Sequence, residues 1–313
     1  MLTRKWLLAG ALPLALAVLL AACGGGGDDK LVSTPVSSQY LPIVISSDMA
    51  VGPNRFSLGL INQTDNAPVV GAQLHLRFFL MNGQQATLKS EADPTPLTIT
   101  KTYTHTHQDG KVETHPAGQT GAYVTNVNFD TAATWGVEVS GAVNGQAIDT
   151  VRLAFSVNQK SASPAIGDPA PRSVQQTLKD VSDIRQIDTS ETPIADEHNM
   201  TIAEAVTSGK PTVIVFATPA FCTSQVCGAT KQTVDDLYAR YQGQANFVHV
   251  EPYDLAKARA GIALEPLPFI TNEWHFESEP WTFIVDSQGN IAGKFDGIVT
   301  FDELEQALKP LLG

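Results

Sequence analysis

The chain has 313 residues, with 20 Lys and Arg against 32 Asp and Glu and a formal net charge of −12. An acidic chain repels nucleic acid and anionic lipid, which excludes binding functions that need a basic face. Its three cysteines are too few for the disulfide framework of small secreted domains, so thiol chemistry here is local.

The first 22 residues have the pattern of a secretory signal peptide. Arg4 and Lys5 supply the positive start, Leu7 to Leu20 the apolar core, and Leu20-Ala21-Ala22-Cys23 the end. That end resembles the bacterial lipobox, which implies that Cys23 becomes the lipidated first residue of the mature chain. Cleavage removes Arg4 and Lys5 and leaves 291 residues with a net charge of −14. The Gly24–Gly27 run and its Asp pair continue into a Ser- and Pro-rich segment, so 23–40 reads as a flexible tether. No later apolar run reaches spanning length, so lipid alone is the expected anchor. The expected location is the cell envelope, extracytoplasmic and lipid-anchored to a bacterial membrane. The mature length suits two domains.

From 41 to 157 short runs alternate with period two: Phe56–Ile61, Gln73–Leu80, Tyr123–Phe129, Gly136–Ser140 and Thr150–Val157. Turn signals separate them at Asn62–Pro68, Asn82-Gly83, Asp109-Gly110 and Asn144-Gly145. Many short strands without a helical stretch predict an antiparallel β-sandwich of immunoglobulin type, with Tyr123, Phe129 and Trp135 in its core. His105, His107 and His115 cluster there and are expected on a solvated edge, with metal binding as the alternative reading.

A linker is expected at 158–165, followed by a second domain over 166–313. Ile166-Gly-Asp-Pro-Ala-Pro171 is an extended lead-in. Thr201–Val206 reads as a short helix capped by Asn199 or Thr201. Thr212–Ala217 reads as a strand buried on both faces. A helix over 228–241 follows, ended by Gly243. Phe247–Glu251 is the next strand, parallel to the first, and Asp254–Gly261 a further helix. Trp281–Asp286 and Ile291–Phe295 form a hairpin, and a Thr300/Glu303 capping box opens a helix over 301–312.

Cys222 follows the buried strand and Cys227 follows five residues later. A thiol reacts as thiolate, and a helix N-terminus favours an anion, so this placement suits redox chemistry. Five residues apart in a regular helix, two Cα atoms exceed the roughly 7 Å limit for a bridge. A disulfide therefore requires Cys222 to precede the helix, or the first turn to be distorted.

Ile166–Pro171, Lys210-Pro-Thr-Val-Ile-Val-Phe216 running into Cys222, and Glu279-Pro280-Trp-Thr-Phe-Ile-Val-Asp286 together resemble the thioredoxin-like superfamily over 166–313. The nearest resemblance is to membrane-anchored TlpA-like thiol-disulfide oxidoreductases. It implies an α/β thioredoxin-like fold with a redox-active disulfide and no cofactor. It implies Cys222 as nucleophile with Cys227 resolving, Pro280 as the cis-proline against the pair, and Glu279 lining the substrate groove. The implied partners are protein thiols or disulfides of the cell envelope.

The chain departs from that pattern in three places. Its spacing is Cys-x4-Cys, Phe221 replaces the usual tryptophan, and Phe216 replaces the buried acid, so no internal base is evident. The long spacing also resembles some peroxiredoxins, whose pattern needs Thr or Ser where Pro219 stands, one residue after Thr218. Sco copper-assembly proteins offer another alternative, with copper on Cys222, Cys227 and His275, although their cysteines are spaced differently. His275 is otherwise a surface or packing residue. His198 is expected as a cap or surface residue, Trp281 in the core, and Trp274 is a candidate wall of the groove.

Overall fold

The computed structural model describes residues 38–106, 112–222, 226–276 and 278–313, with side chains described outside 101–117. The segment 1–37, with the expected signal peptide and Cys23, lies outside them, as does His107. The chain is mostly β-sheet, in several antiparallel sheets, with few helices. Among the described residues no helix is long and apolar enough to cross a membrane.

Strands β1 (Tyr40–Val44), β2 (Gly52–Asn62), β3 (Ala67–Pro68), β4 (Gln73–Asn82) and β5 (Gln85–Ala92) open the chain. β6 (Thr95–Thr106), β7 (Val112–Phe129), β8 (Ala133–Val143), β9 (Gln146–Ala147) and β10 (Val151–Val157) follow. One sheet has the order β1-β2-β7-β6 with β3 on β2, and another β10-β8-β4-β5 with β9 on β8. Alternation makes each strand two-faced. Phe56, Leu58 and Leu60 of β2 and Tyr123, Val127 and Phe129 of β7 share one core with Leu74, Leu76 and Phe78 of β4 and Trp135, Val137 and Val139 of β8. Burying each such side chain contributes roughly 1.5–3 kcal/mol. The Phe129 and Trp135 rings meet edge to face, 4.8 Å between centroids. Tyr123 keeps its hydroxyl satisfied inside that core, donating to Val69 O at 2.8 Å and accepting from the Ala72 amide at 3.0 Å. In the β6–β7 ladder His105 pairs in register with Glu113 and His115 with Tyr103. The side chains of His105, His107 and His115 are outside the described ones.

From 158 to 201 the chain runs largely without regular structure, interrupted by short 3-10 turns at Ile184–Gln186 and Ala195–His198. The lead-in lies beside the start of a later strand, with Gly167 N donating to Ile291 O and Ile291 N to Asp168 O, both at 2.8 Å. α1 (Ile202–Val206) is capped by Thr201, with Glu204 reaching back to complete a capping box. β11 (Thr212–Phe216) follows, then α2 (Val226–Tyr241), β12 (Asn246–Val250) and α3 (Leu255–Arg259), the last capped by Asp254. A π-helical turn spans Ile270–Trp274. β13 (Trp281–Val285), β14 (Ile291–Asp296) and α4 (Phe301–Leu308) complete this part. α4 is shorter than the expected helix over 301–312, because a 3-10 turn at Lys309–Leu311 replaces its end around Pro310.

These strands form a four-stranded sheet, β12-β11-β13-β14. β11 pairs parallel with β12 and antiparallel with β13. Every residue of β11 is buried because both faces are covered. Ile214 and Phe216 face a core containing Ile202, Ala205 and Trp274, whereas Val213 and Val215 face Val234 and Leu237 of α2 and Leu304 of α4.

The two parts touch along a polar seam. Arg55 of β2 reaches Glu303 of α4, and Lys294 of β14 reaches Asp48 at 3.0 Å. Ser47 donates its amide and hydroxyl to Asp296 at 2.6 and 2.8 Å, and its Oγ lies 3.0 Å from Ser278 Oγ. Gly297, at φ 78°, lies beneath Ile45, whose methyl would be 2.6 Å from an added Cβ. Only glycine suits both that backbone and that contact.

Candidate functional site

The apolar run of β11 ends at Phe216, and the chain turns at Thr218. The Phe221 and Cys222 amides both donate to Thr218 O, at 3.2 and 3.0 Å. Cys222 therefore precedes α2, while Cys227 is its second residue, and the two are joined as a disulfide with Cα atoms 6.1 Å apart. The geometric requirement on a five-residue spacing is met by placing Cys222 before the helix. α2 starts at Val226, two residues earlier than expected, which brings Cys227 into its first turn. Cys227 is fully buried, whereas Cys222 is half-buried at the edge of the core formed by Val213, Val215 and α2.

Pro280 enters β13 through a cis Glu279–Pro280 bond, and its carbonyl accepts from the Gly297 amide at 2.9 Å. Because Trp281 is in register with Phe216, Pro280 lies level with the end of β11. Glu279 is the residue that the resemblance implies in a substrate groove. Its carboxyl is grouped with the two sulfurs, the three ligand atoms lying within 4.8 Å of one another. One of its oxygens is buried without a hydrogen-bond partner. Burial, and then the nearby Glu251, push the Glu279 carboxyl up to about 8, against which the Thr218 amide acts. Near neutral pH it holds its proton, beside sulfurs whose thiols ordinarily titrate near 8.5. Phe216, which replaces the expected buried acid, packs on Trp274, Phe276 and Phe283. The carboxyl beside the sulfurs comes from a different segment.

His275, the alternative copper ligand, is exposed, with φ 53° at the end of the π-helical turn. The group around the cysteines holds Glu279 rather than His275. Trp281 is buried, as expected of a core residue. Trp274 is fully buried rather than walling a groove, and its Nε1 donates to Ser173 Oγ at 2.9 Å.

A second polar cluster lies behind β12, and sequence reading missed it. His198, expected at the surface, is buried, with Nε2 2.9 Å from Asp188 Oδ2. His249 of β12 lies against the same carboxylate, with Nδ1 3.3 Å from Oδ2. Asp188 is held below the usual carboxylate range by His198 and His249, which outweigh the desolvation that pushes it up. Glu251, just past the end of β12, accepts from the Thr189 amide at 2.6 Å, and burial pushes its carboxyl up. Beside them Lys231 of α2 pairs with Glu197 at 2.7 Å and with Asp235, and both Lys231 and Glu197 are buried. The available sequence signal was the alternation of Phe247-Val-His-Val-Glu251, which puts two polar residues on one face of a strand expected beside the buried Thr212–Ala217.

No protein-family model matches the chain, and no curated protein matches it. Among solved structures it is similar to a thiol:disulfide interchange protein of the thioredoxin family from Chlorobium tepidum TLS, with 15% identity and a TM-score of 0.31. That match covers 48% of this chain and 100% of the other. It is also similar to MtrC from Shewanella baltica OS185, with 11% identity and a TM-score of 0.22, over 80% of this chain and 51% of that one.

Proposed function

We propose that the chain is a membrane-anchored, extracytoplasmic thiol-disulfide oxidoreductase of the cell envelope. In this reading 1–22 is a lipoprotein signal peptide, Cys23 the lipid anchor and 23–40 a tether. Residues 41–157 are an immunoglobulin-like sandwich, 158–165 a linker, and 166–313 a thioredoxin-like domain. The observation that carries the reading is the half-buried Cys222, joined to a buried Cys227 in the first turn of α2, with the Glu279 carboxyl beside both sulfurs. The face-to-face sheets of the first part and the helix-covered sheet of the second support the domain assignment.

Exchange proceeds by attack of a thiolate on a disulfide sulfur. In the reduced protein the Cys222 thiolate attacks a substrate disulfide, forming a mixed disulfide and releasing one substrate thiolate. Cys227 then attacks the Cys222 sulfur, releases the second substrate thiolate and restores the Cys222–Cys227 bond. Cys222 makes the first attack because it is the less buried sulfur. The ionised fraction of Glu279, which grows as pH approaches about 8, accepts the Cys227 proton during that attack. In the reverse direction it returns a proton to the departing Cys227 thiolate. The seam through Ser47, Ser278 and Asp296 gives the first part a role as well, since it braces the segment that carries Glu279 and Pro280.

The decisive assay follows disulfide exchange with a model protein by wild type, Cys222→Ser and Cys227→Ser. Exchange should vanish in Cys222→Ser, and Cys227→Ser should accumulate the mixed disulfide. Unchanged exchange by Cys222→Ser would end this reading.

A further inference from the structure

His249 Nε2 lies 3.0 Å from the carbonyl oxygen of Ala217. A carbonyl only accepts, so Nε2 carries the hydrogen, and in the neutral ring Nδ1 is a bare lone pair. That Nδ1 is buried, makes no hydrogen bond, and lies 3.3 Å from Asp188 Oδ2. In the neutral ring two buried acceptors face each other, and the cation that reconciles them is either a proton on Nδ1 or a metal ion. We propose that Asp188, His198 and His249 form a binding site for a divalent first-row transition metal, ligated by Asp188 Oδ2, His198 Nε2 and His249 Nδ1.

The spacing fits. Metal bonds of about 2.0–2.2 Å in tetrahedral geometry put ligand atoms roughly 3.3 Å apart. Here the carboxylate oxygen is 2.9 Å from His198 Nε2 and 3.3 Å from His249 Nδ1, and the three donor atoms lie within 4.8 Å of one another. The charge fits too. Asp188 is fully buried, and among the described residues the basic side chains within 4.0 Å of its carboxylate are these two histidines, while Lys231 is committed to Glu197 and Asp235.

Outer contacts orient the ligands as metal sites require. The Ser190 amide holds the other Asp188 oxygen at 2.6 Å, and Ala217 fixes the His249 tautomer. His198 and His249 also border a cavity of about 640 Å³, together with Glu251 and Tyr253. Two imidazoles and a carboxylate suit zinc, cobalt(II) or iron(II) better than copper(I) or the hard alkaline-earth ions. The disulfide sulfurs take no part.

The test uses the full chain, solubilised, with its disulfide intact. Titration with Zn²⁺ should give one tight, chelator-reversible equivalent, and Co²⁺ should give visible ligand-field bands without thiolate charge transfer. Zn²⁺ should move the ring ¹⁵N resonances of His198 and His249 in the wild type, a readout that needs no variant. Affinity should fall at least about 100-fold in His249→Ala and in Asp188→Asn, with near-ultraviolet dichroism checking their folds. No uptake by the oxidised wild type, unmoved His198 and His249 resonances, or uptake retained by folded His249→Ala would each overturn the proposal.

Discussion

Arg55 on β2 and Glu303 on α4 are joined by a forked ion pair, Nε to Oε1 at 2.9 Å and a terminal nitrogen to Oε2 at 3.3 Å. The same guanidinium donates to the backbone carbonyls of Asp296 and Ile298, at 3.2 and 2.7 Å. Arg55 thus ties the first sheet to the loop that follows β14. Arg55→Ala removes four hydrogen bonds and leaves polar groups at the seam without partners. We expect a loss of about 2–3 kcal/mol and, in calorimetry, a single unfolding transition that divides in two. A variant that unfolds at the wild-type temperature in one transition would show that the seam contributes nothing.

Glu279 titrates at about 8, within reach of a thiol near 8.5, so proton transfer between them is close to balanced. Glu279→Gln keeps the shape and removes the proton site. Exchange should slow by about 100-fold, and the step near pH 8 in its rate profile should disappear. A profile identical to wild type would assign that step to another group.

The same carboxyl links stability to pH. Its value rises from 4.5 to about 8 on folding, so the folded protein holds a proton that the unfolded chain releases. Its stabilising contribution is complete below pH 4.5 and is lost as pH rises through about 8. Relative to wild type, Glu279→Gln should gain stability across that window, as read by urea midpoints at its two ends. A difference independent of pH would contradict the shift.

Lys231 is 2% exposed and its ammonium is shared between Glu197 and Asp235. Lys231→Met strands the fully buried Glu197 charge and should cost about 3–5 kcal/mol, with Lys231→Met/Glu197→Gln recovering most of it. Chemical denaturation of the single and double variants measures both. Equal losses in the two would mean that the lysine acts through packing alone.

Tyr123 holds the Ala72 amide and the Val69 carbonyl from inside the core of the first part. Tyr123→Phe should cost about 1–3 kcal/mol, because a buried amide loses its acceptor. Thermal unfolding reads this, and an unchanged midpoint would mean that other groups satisfy that amide.

Local pattern was enough for much of this chain. Period-two alternation marked the segments that became β2, β4, β7, β8 and β10, and the uninterrupted apolar run marked β11, buried on both faces. The Thr300/Glu303 box marked the start of α4, and the five-residue cysteine spacing left a disulfide two routes, Cys222 before the helix or a distorted first turn, of which the chain takes the first. These signals are local because backbone geometry and the two faces of a strand repeat within a few residues.

What tertiary structure decided was which distant charges share a buried space. Glu279 reads as a groove residue until β13 pairs with β11 and carries its carboxyl to sulfurs more than fifty residues earlier in the chain. His198 reads as a surface cap until β12 brings His249 to the same Asp188 oxygen. No periodicity encodes those meetings. They arise because strand pairing removes water from polar groups that lie far apart in sequence, and each buried charge must then find its partner in space.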